Sequence, residues 1–223
     1  MNYDLFMYFM LFMFYSIVGW IIEVIYTFIT DKKIVNRGFL IGPYCPIYGV
    51  GCLLIIILLK NYTDDFIVLF IMSMLICPLL EYLTSYVMEK LFNARWWNYS
   101  NRKFNINGRV CLETLIPFGI FGSLILLVVN PFVVSIFNKI PDNIFKVITI
   151  LFFIIFVIDE VVSYIIINKL NISTSEITID NTEEITQKVK EYIFKNSKLG
   201  KRLMKSFPNI KIKQIKKKNN KKV

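Results

Sequence analysis

The chain has 223 residues, 56% of them apolar and 16% aromatic, with only 19% charged and a formal net charge of +10. A soluble domain carries about a quarter charged residues, so a mean hydropathy of +0.56 excludes an ordinary soluble fold for most of this length. The lack of histidine excludes Cys/His zinc sites and removes the usual general base, and no GxxxxGK[ST] or GxSxG string occurs, which excludes P-loop ATP hydrolysis and the hydrolase nucleophile elbow.

Charge is unevenly placed. From Asn171 to the end there are 14 Lys/Arg against 5 Asp/Glu, whereas residues 1–170 are nearly neutral. The split predicts two parts: a transmembrane helical domain over 1–170 and a cytoplasmic basic tail over 171–223, partly helical and then disordered. The N-terminal apolar run has no basic leader and no small-residue cleavage pattern, so it reads as a retained first helix.

A helical span needs about 20 apolar residues. Five runs qualify: Leu5–Thr30, Gly38–Leu59, Phe66–Met88, Val110–Phe137 and Val147–Ile167. The expected fold is therefore all-α, a polytopic transmembrane bundle of five spans, since in lipid each span must satisfy its own backbone polar groups. The first half of the second run, GFLIGPYCPIYGVG, is too rich in Gly and Pro for one straight helix. Irregular backbone at membrane depth is tolerated where it is buried in protein or lines a cavity, as in the broken helices of transporters.

Orientation follows from loop Lys/Arg. Lys32, Lys33 and Arg37 follow the first span, Lys90, Arg95, Arg102, Lys103 and Arg109 follow the third, and the basic tail follows the fifth. The opposite side has only Lys60, Lys139 and Lys146. Five spans put every basic segment on one face, with the N-terminus outside and the C-terminus in the cytoplasm. Within the tail, Thr182–Phe207 suits a helix, and the Lys-rich run beyond Pro208 reads as a topology anchor or a contact for anionic lipid.

An acid inside a span costs at least about 2.5–3.5 kcal/mol on insertion scales, so it marks a functional candidate. Glu23, Glu81, Glu113, Asp159 and Glu160 all fall in the inner half of their spans. Each continues a polar stripe at helical spacing: Ser16, Gly19, Glu23, Thr27 and Thr30; Glu81, Ser85 and Glu89; Glu160, Tyr164 and Asn168. Two inner-face segments join them. NRGFLIGPYCPIYGVG holds Asn36, Arg37, Gly42, Pro43, Cys45 and Pro46. EKLFNARWWNYSNRKFNINGRVCLE holds Glu89, Arg95, Trp96 and Trp97, then a turn marked by Asn105, Asn107 and Gly108. Trp96, Trp97 and Tyr99 also suit an interfacial aromatic belt. Cys52 and Cys77 read as small buried apolar residues, and no disulfide framework is expected.

The strings GWIIEVIY (19–26), NRGFLIGPYCPIYGVG (36–51), EYLTSYVMEKLFNARWWNYS (81–100) and FNINGRVCLE (104–113) together resemble the CmpB-like family of type IV ABC-transporter permease-like membrane proteins. The likeness runs over about residues 15–130. It carries over Glu23, Asn36, Arg37, Gly38, Gly42, Pro43, Cys45, Pro46, Tyr48, Gly49, Glu81, Glu89, Arg95, Trp96, Trp97, Asn105, Gly108 and Glu113. Asn98 stands where the family more often has Asp. What the resemblance implies is a permease component.

Three functions fit these residues. The first is a membrane subunit that binds or moves a small polar or cationic solute, which expects Glu23, Glu81 and Glu113 to converge. The second is an intramembrane enzyme on a lipid headgroup, which needs a metal-compatible carboxylate cluster. The third is a scaffold or sensor, which expects each acid to pair with Arg37, Arg95 or Arg109. No cofactor or metal is called for. The partners that enter are the bilayer, anionic lipid along the tail, a separate ATPase subunit and a second copy of the chain; nucleic acid is not expected.

Overall fold

The computed structural model describes residues 3–32, 34, 36, 38, 40–92, 94–95, 97–175, 202 and 211–212, without side chains at 31, 94–95, 166–175 and 211–212. Its frame is helical. Helix α1 spans Leu5–Asp31: the Asp4 carboxylate caps its start by accepting from the Met7 amide at 2.8 Å, and Lys32 ends it in the left-handed region with φ 53°. Helix α2 spans Pro46–Leu59, with proline at its first position, where a missing N–H costs nothing. Helix α3 spans Phe66–Phe92, capped by the Asp65 carboxylate, and carries Pro78 internally.

Short strands fill the next connection. β1 (Ala94–Arg95) pairs with β4 (Lys211–Ile212), and β2 (Asn105–Ile106) forms an antiparallel hairpin with β3 (Val110–Cys111). A 3₁₀ turn (Leu112–Thr114) then leads into α4 (Leu115–Leu124), a π-helical turn (Ile125–Val129) and α5 (Asn130–Phe137), which run as one rod. The π turn precedes Pro131, whose nitrogen cannot donate; the Asn130 amide reaches back five residues to the Ile125 carbonyl instead. Helix α6 spans Asp142–Ser175.

Three stretches, Leu5–Thr30, Phe66–Phe92 and Leu112–Phe137, are long and apolar enough to cross a membrane. They match the first, third and fourth runs expected from sequence. The second expected run is corrected at its start: helix begins only at Pro46, and residues 38 and 40–45 are irregular. The fifth expected run lies inside α6. The tail helix expected over Thr182–Phe207 and the run after Pro208 lie outside the described residues, apart from Arg202 and β4.

Packing follows from small residues. Gly49 of α2 faces Ser16 and the Phe12 carbonyl of α1, and Gly122 of α4 faces Ser73 of α3; a Cβ at either position would fall inside van der Waals range of those atoms. The core between these pairs contains Leu11, Tyr15, Cys52, Ile55, Leu59, Leu69 and Leu126. Outward faces remain apolar: Ile67, Ile71, Leu75 and Leu79 along α3, and Ile150, Ile154 and Ile158 along α6 are all exposed. That inside-and-outside apolarity is the composition of a helix in lipid.

Candidate functional site

The Gly/Pro-rich break is held by two side chains. Asn36 accepts from the indole of Trp20 at 2.7 Å and from the Gly38 amide at 3.1 Å, and donates to the Ile41 carbonyl at 3.1 Å. Asp159, on α6, accepts from the amides of Ile41 and Gly42 (3.0 and 2.6 Å), from the Tyr44 phenol (2.5 Å) and from Ser163 (3.0 Å). The Arg202 guanidinium donates to the Leu40 carbonyl. Backbone amides that a straight helix would have paired internally are thus satisfied by side chains. Cys45, buried, closes the break by donating its amide to the Ser16 carbonyl at 2.9 Å.

This arrangement aims Tyr48 at α1. Gly19 leaves room for the Tyr48 ring, and one turn further along, Glu23 Oε1 accepts from the Tyr48 hydroxyl at 2.6 Å. A matching pair forms on α3, where Glu81 Oε1 accepts from the Tyr99 hydroxyl at 2.9 Å. The Tyr99 phenol is pushed well up by burial and then by Glu81, with smaller contributions from Cys111 and Glu23. Glu81 Oε2 is buried and has no hydrogen-bond partner among the described residues.

Tyr99 is placed by the hairpin. Its amide donates to the Gly108 carbonyl at 2.8 Å, and the Arg109 amide closes a turn onto the Ile106 carbonyl at 3.0 Å. Asn107 and Gly108, at φ 53° and 66°, supply the two positive φ values a tight hairpin turn needs. Asn105 braces it, accepting from the Gly108 amide at 2.9 Å and donating to the Arg102 carbonyl at 2.8 Å. The turn also buries Arg109 against Glu89 at 2.8 Å. The Arg109 guanidinium donates to Ser85 Oγ at 3.1 Å and lies over the Tyr82 and Tyr86 rings, while the Trp97 indole donates to the Arg109 carbonyl.

The structure therefore gives Glu23 and Glu81 one phenol donor each, sets Asn36, Gly42, Pro43, Cys45 and Pro46 at the break, and uses Trp97, Asn105 and Gly108 to hold the hairpin. Glu113 stands apart: it pairs with Arg102 at 3.1 Å, with both side chains more than half exposed. Arg95 is described only as backbone in β1, and Arg37 and Trp96 lie outside the described residues. Tyr99 and Arg109 were not singled out as site residues from sequence; the Asn107–Gly108 signal, followed through, folds both back onto α3. Among the described residues no group of three or more Cys, Asp or Glu side chains stands close enough to hold a metal ion. A groove of about 680 Å³ opens at the other end of the bundle, lined by residues that include Tyr3, Met7, Val134, Phe137 and Phe145, and none of the candidate residues lines it.

Neither the curated proteins nor the solved structures contain a match to this chain. A family model does match, over residues 10–164, and so extends past the resemblance seen in sequence to include Asp159 and Glu160. The chain belongs to the family described as "Putative ABC-transporter type IV".

Proposed function

We propose that the protein is a permease-like membrane subunit that binds or moves a small polar or cationic solute at a carboxylate–phenol site in its inner half. The observation that carries this reading is that Glu23 and Glu81, acids on two separate apolar helices, each accept from one phenol, Tyr48 in the first turn of α2 and Tyr99 in the segment before the hairpin. Acids this deep need a use that repays their desolvation. In the proposal α2 and α6 join the three long helices as spans, giving five, with the N-terminus outside and the basic tail in the cytoplasm. The positive loops support that direction. Membership of the transporter family supports a separate ATPase subunit as the source of energy. Anionic-lipid contact by the tail and a second copy of the chain belong to the same proposal.

Glu23, Glu81 and Cys45 form the solute site in this reading; Asn36, Arg37, Gly42, Pro43 and Pro46 shape its wall. Glu89, Arg95, Trp96, Trp97, Asn105 and Gly108 brace it, and Glu113, paired with Arg102 at the surface, stands outside it. The test is thermal stabilisation of the purified protein by a panel of free amino acids, amines, Na⁺ and K⁺. A solute that stabilises the wild type and Glu113→Gln, but neither Glu23→Gln nor Glu81→Gln, is the expected result. Equal stabilisation of all four proteins contradicts it. The scaffold reading is favoured at one place, the Glu89–Arg109 pair, where an acid is already neutralised by a neighbouring cation.

A further inference from the structure

The inference concerns the chemical class of the solute and rests on the site proposed above. Glu81 Oε2 is shielded from solvent and receives no hydrogen bond from any described residue. The nearest phenols are committed, Tyr99 to Glu81 Oε1 and Tyr48 to Glu23 Oε1. Among the described residues, the other titratable groups that interact with Glu81 are Glu23 of α1 and Cys77 one turn away on α3, with Cys111 acting on Tyr99. The Arg109 cation at Ser85, the next turn of α3, is taken by Glu89. Helix α4, which packs on α3, has no titratable side chain between Leu115 and Leu124, and α6 spends Asp159 on the break. With no donor among the described residues, Oε2 is open to a proton on the carboxyl itself or to a ligand. Charge-assisted hydrogen bonds are roughly twice as strong as neutral ones.

We propose that the site takes a small primary ammonium compound whose N–H donates to Glu81 Oε2, and that its binding releases the proton the empty carboxyl holds. The step balances: one cation enters, the Glu81 O–H bond breaks, one proton leaves to solvent, and the net charge of the site is unchanged. A quaternary ammonium has the charge without the N–H; an alcohol has the donor without the charge. Neither meets both needs.

The test is calorimetric titration of the full chain in lipid nanodiscs with ethylammonium, tetramethylammonium and ethanol, in two buffers of different ionisation enthalpy. Ethylammonium should bind at least about tenfold tighter than the other two, a difference of about 1.4 kcal/mol. It should also release close to one proton per ligand and tighten as pH rises toward the point where the carboxyl ionises. Glu81→Gln should lose both the binding and the proton release, and Tyr99→Phe, which leaves Oε2 unchanged, should keep the preference at weaker affinity. Equal binding of ethylammonium and tetramethylammonium, or binding without proton release, overturns the inference; if Glu81→Gln still weakens such binding, the site itself stands. No response to ethylammonium also overturns the ammonium class, and a different polar solute that acts through Glu81 would then leave the site itself standing. Binding indifferent to Glu81→Gln, in a variant that elutes and melts as a folded protein, overturns both.

Discussion

Asp159 and Arg109 are the two side chains on which the site's geometry rests. Asp159 accepts four hydrogen bonds, three of them from the Ile41–Tyr44 stretch. Asparagine at 159 has one acceptor oxygen fewer and brings two N–H groups to face amides that also donate. Hydrogen bonds to a charged group contribute about 1.5–3 kcal/mol each, so Asp159→Asn should lower unfolding stability in micelles by about 2–4 kcal/mol. An unchanged melting temperature would show that the break does not depend on Asp159. Arg109→Met removes the guanidinium that meets the buried Glu89 at 2.8 Å and should cost up to about 3–5 kcal/mol, while the double change Glu89→Leu with Arg109→Met should recover most of that loss. The exposed Arg102–Glu113 pair serves as the contrast: Glu113→Gln should cost no more than about 1 kcal/mol.

Residue identities were legible at the site, and partnerships were not. Glu23 and Glu81 announce themselves because a carboxylate in an apolar run is expensive. Asp159 and Glu160 are equally visible, but neighbours on a helix point about 100° apart, and only the packing of α6 decides that Asp159 meets the break. Tyr99 reads as a belt aromatic until the hairpin carries it inward.

At the scale of elements, helix contacts are set where glycine lets backbones approach. Gly49 has no space for a Cβ against Ser16 and Phe12, whereas a Cβ on Gly51 would meet only Leu80 Cδ2 at an ordinary 3.5 Å. Gly49→Val should therefore cost about 1–3 kcal/mol or more through overpacking. Gly51→Ala, two residues on, should be neutral or stabilise α2 by up to about 1 kcal/mol. Thermal melts of the two variants side by side check the claim; equal melting temperatures would contradict it. The hydrophobic runs disclosed the long helices well because length and apolarity suffice. They disclosed the breaks less well. Prolines at 43 and 46 mark an interruption without saying where the freed amides go, and Pro131 signals a fault in the fourth rod without deciding between a kink and the π turn that forms.

For the whole molecule, the irregular segments gather at one end of the bundle, where Trp20 meets Asn36 and Glu81 meets Tyr99. That end is the cytoplasmic one in the proposal. Three native cysteines are buried and Cys77 is half-buried, so labelling background is low. Thr63→Cys and Asn101→Cys, both at exposed positions, should react with an impermeant maleimide from opposite sides of the membrane, position 63 in intact cells and position 101 in inverted vesicles. Reaction of both from one side would contradict the five-span arrangement.

The central claim is that Glu23 and Glu81 form one site rather than two separate helix features. A double-mutant cycle of Glu23→Gln, Glu81→Gln and the pair, read as unfolding free energies in mixed micelles at one pH, measures it directly. The account predicts a coupling energy above about 0.5 kcal/mol, the range found for residues in one network. Additivity within about 0.3 kcal/mol would contradict it.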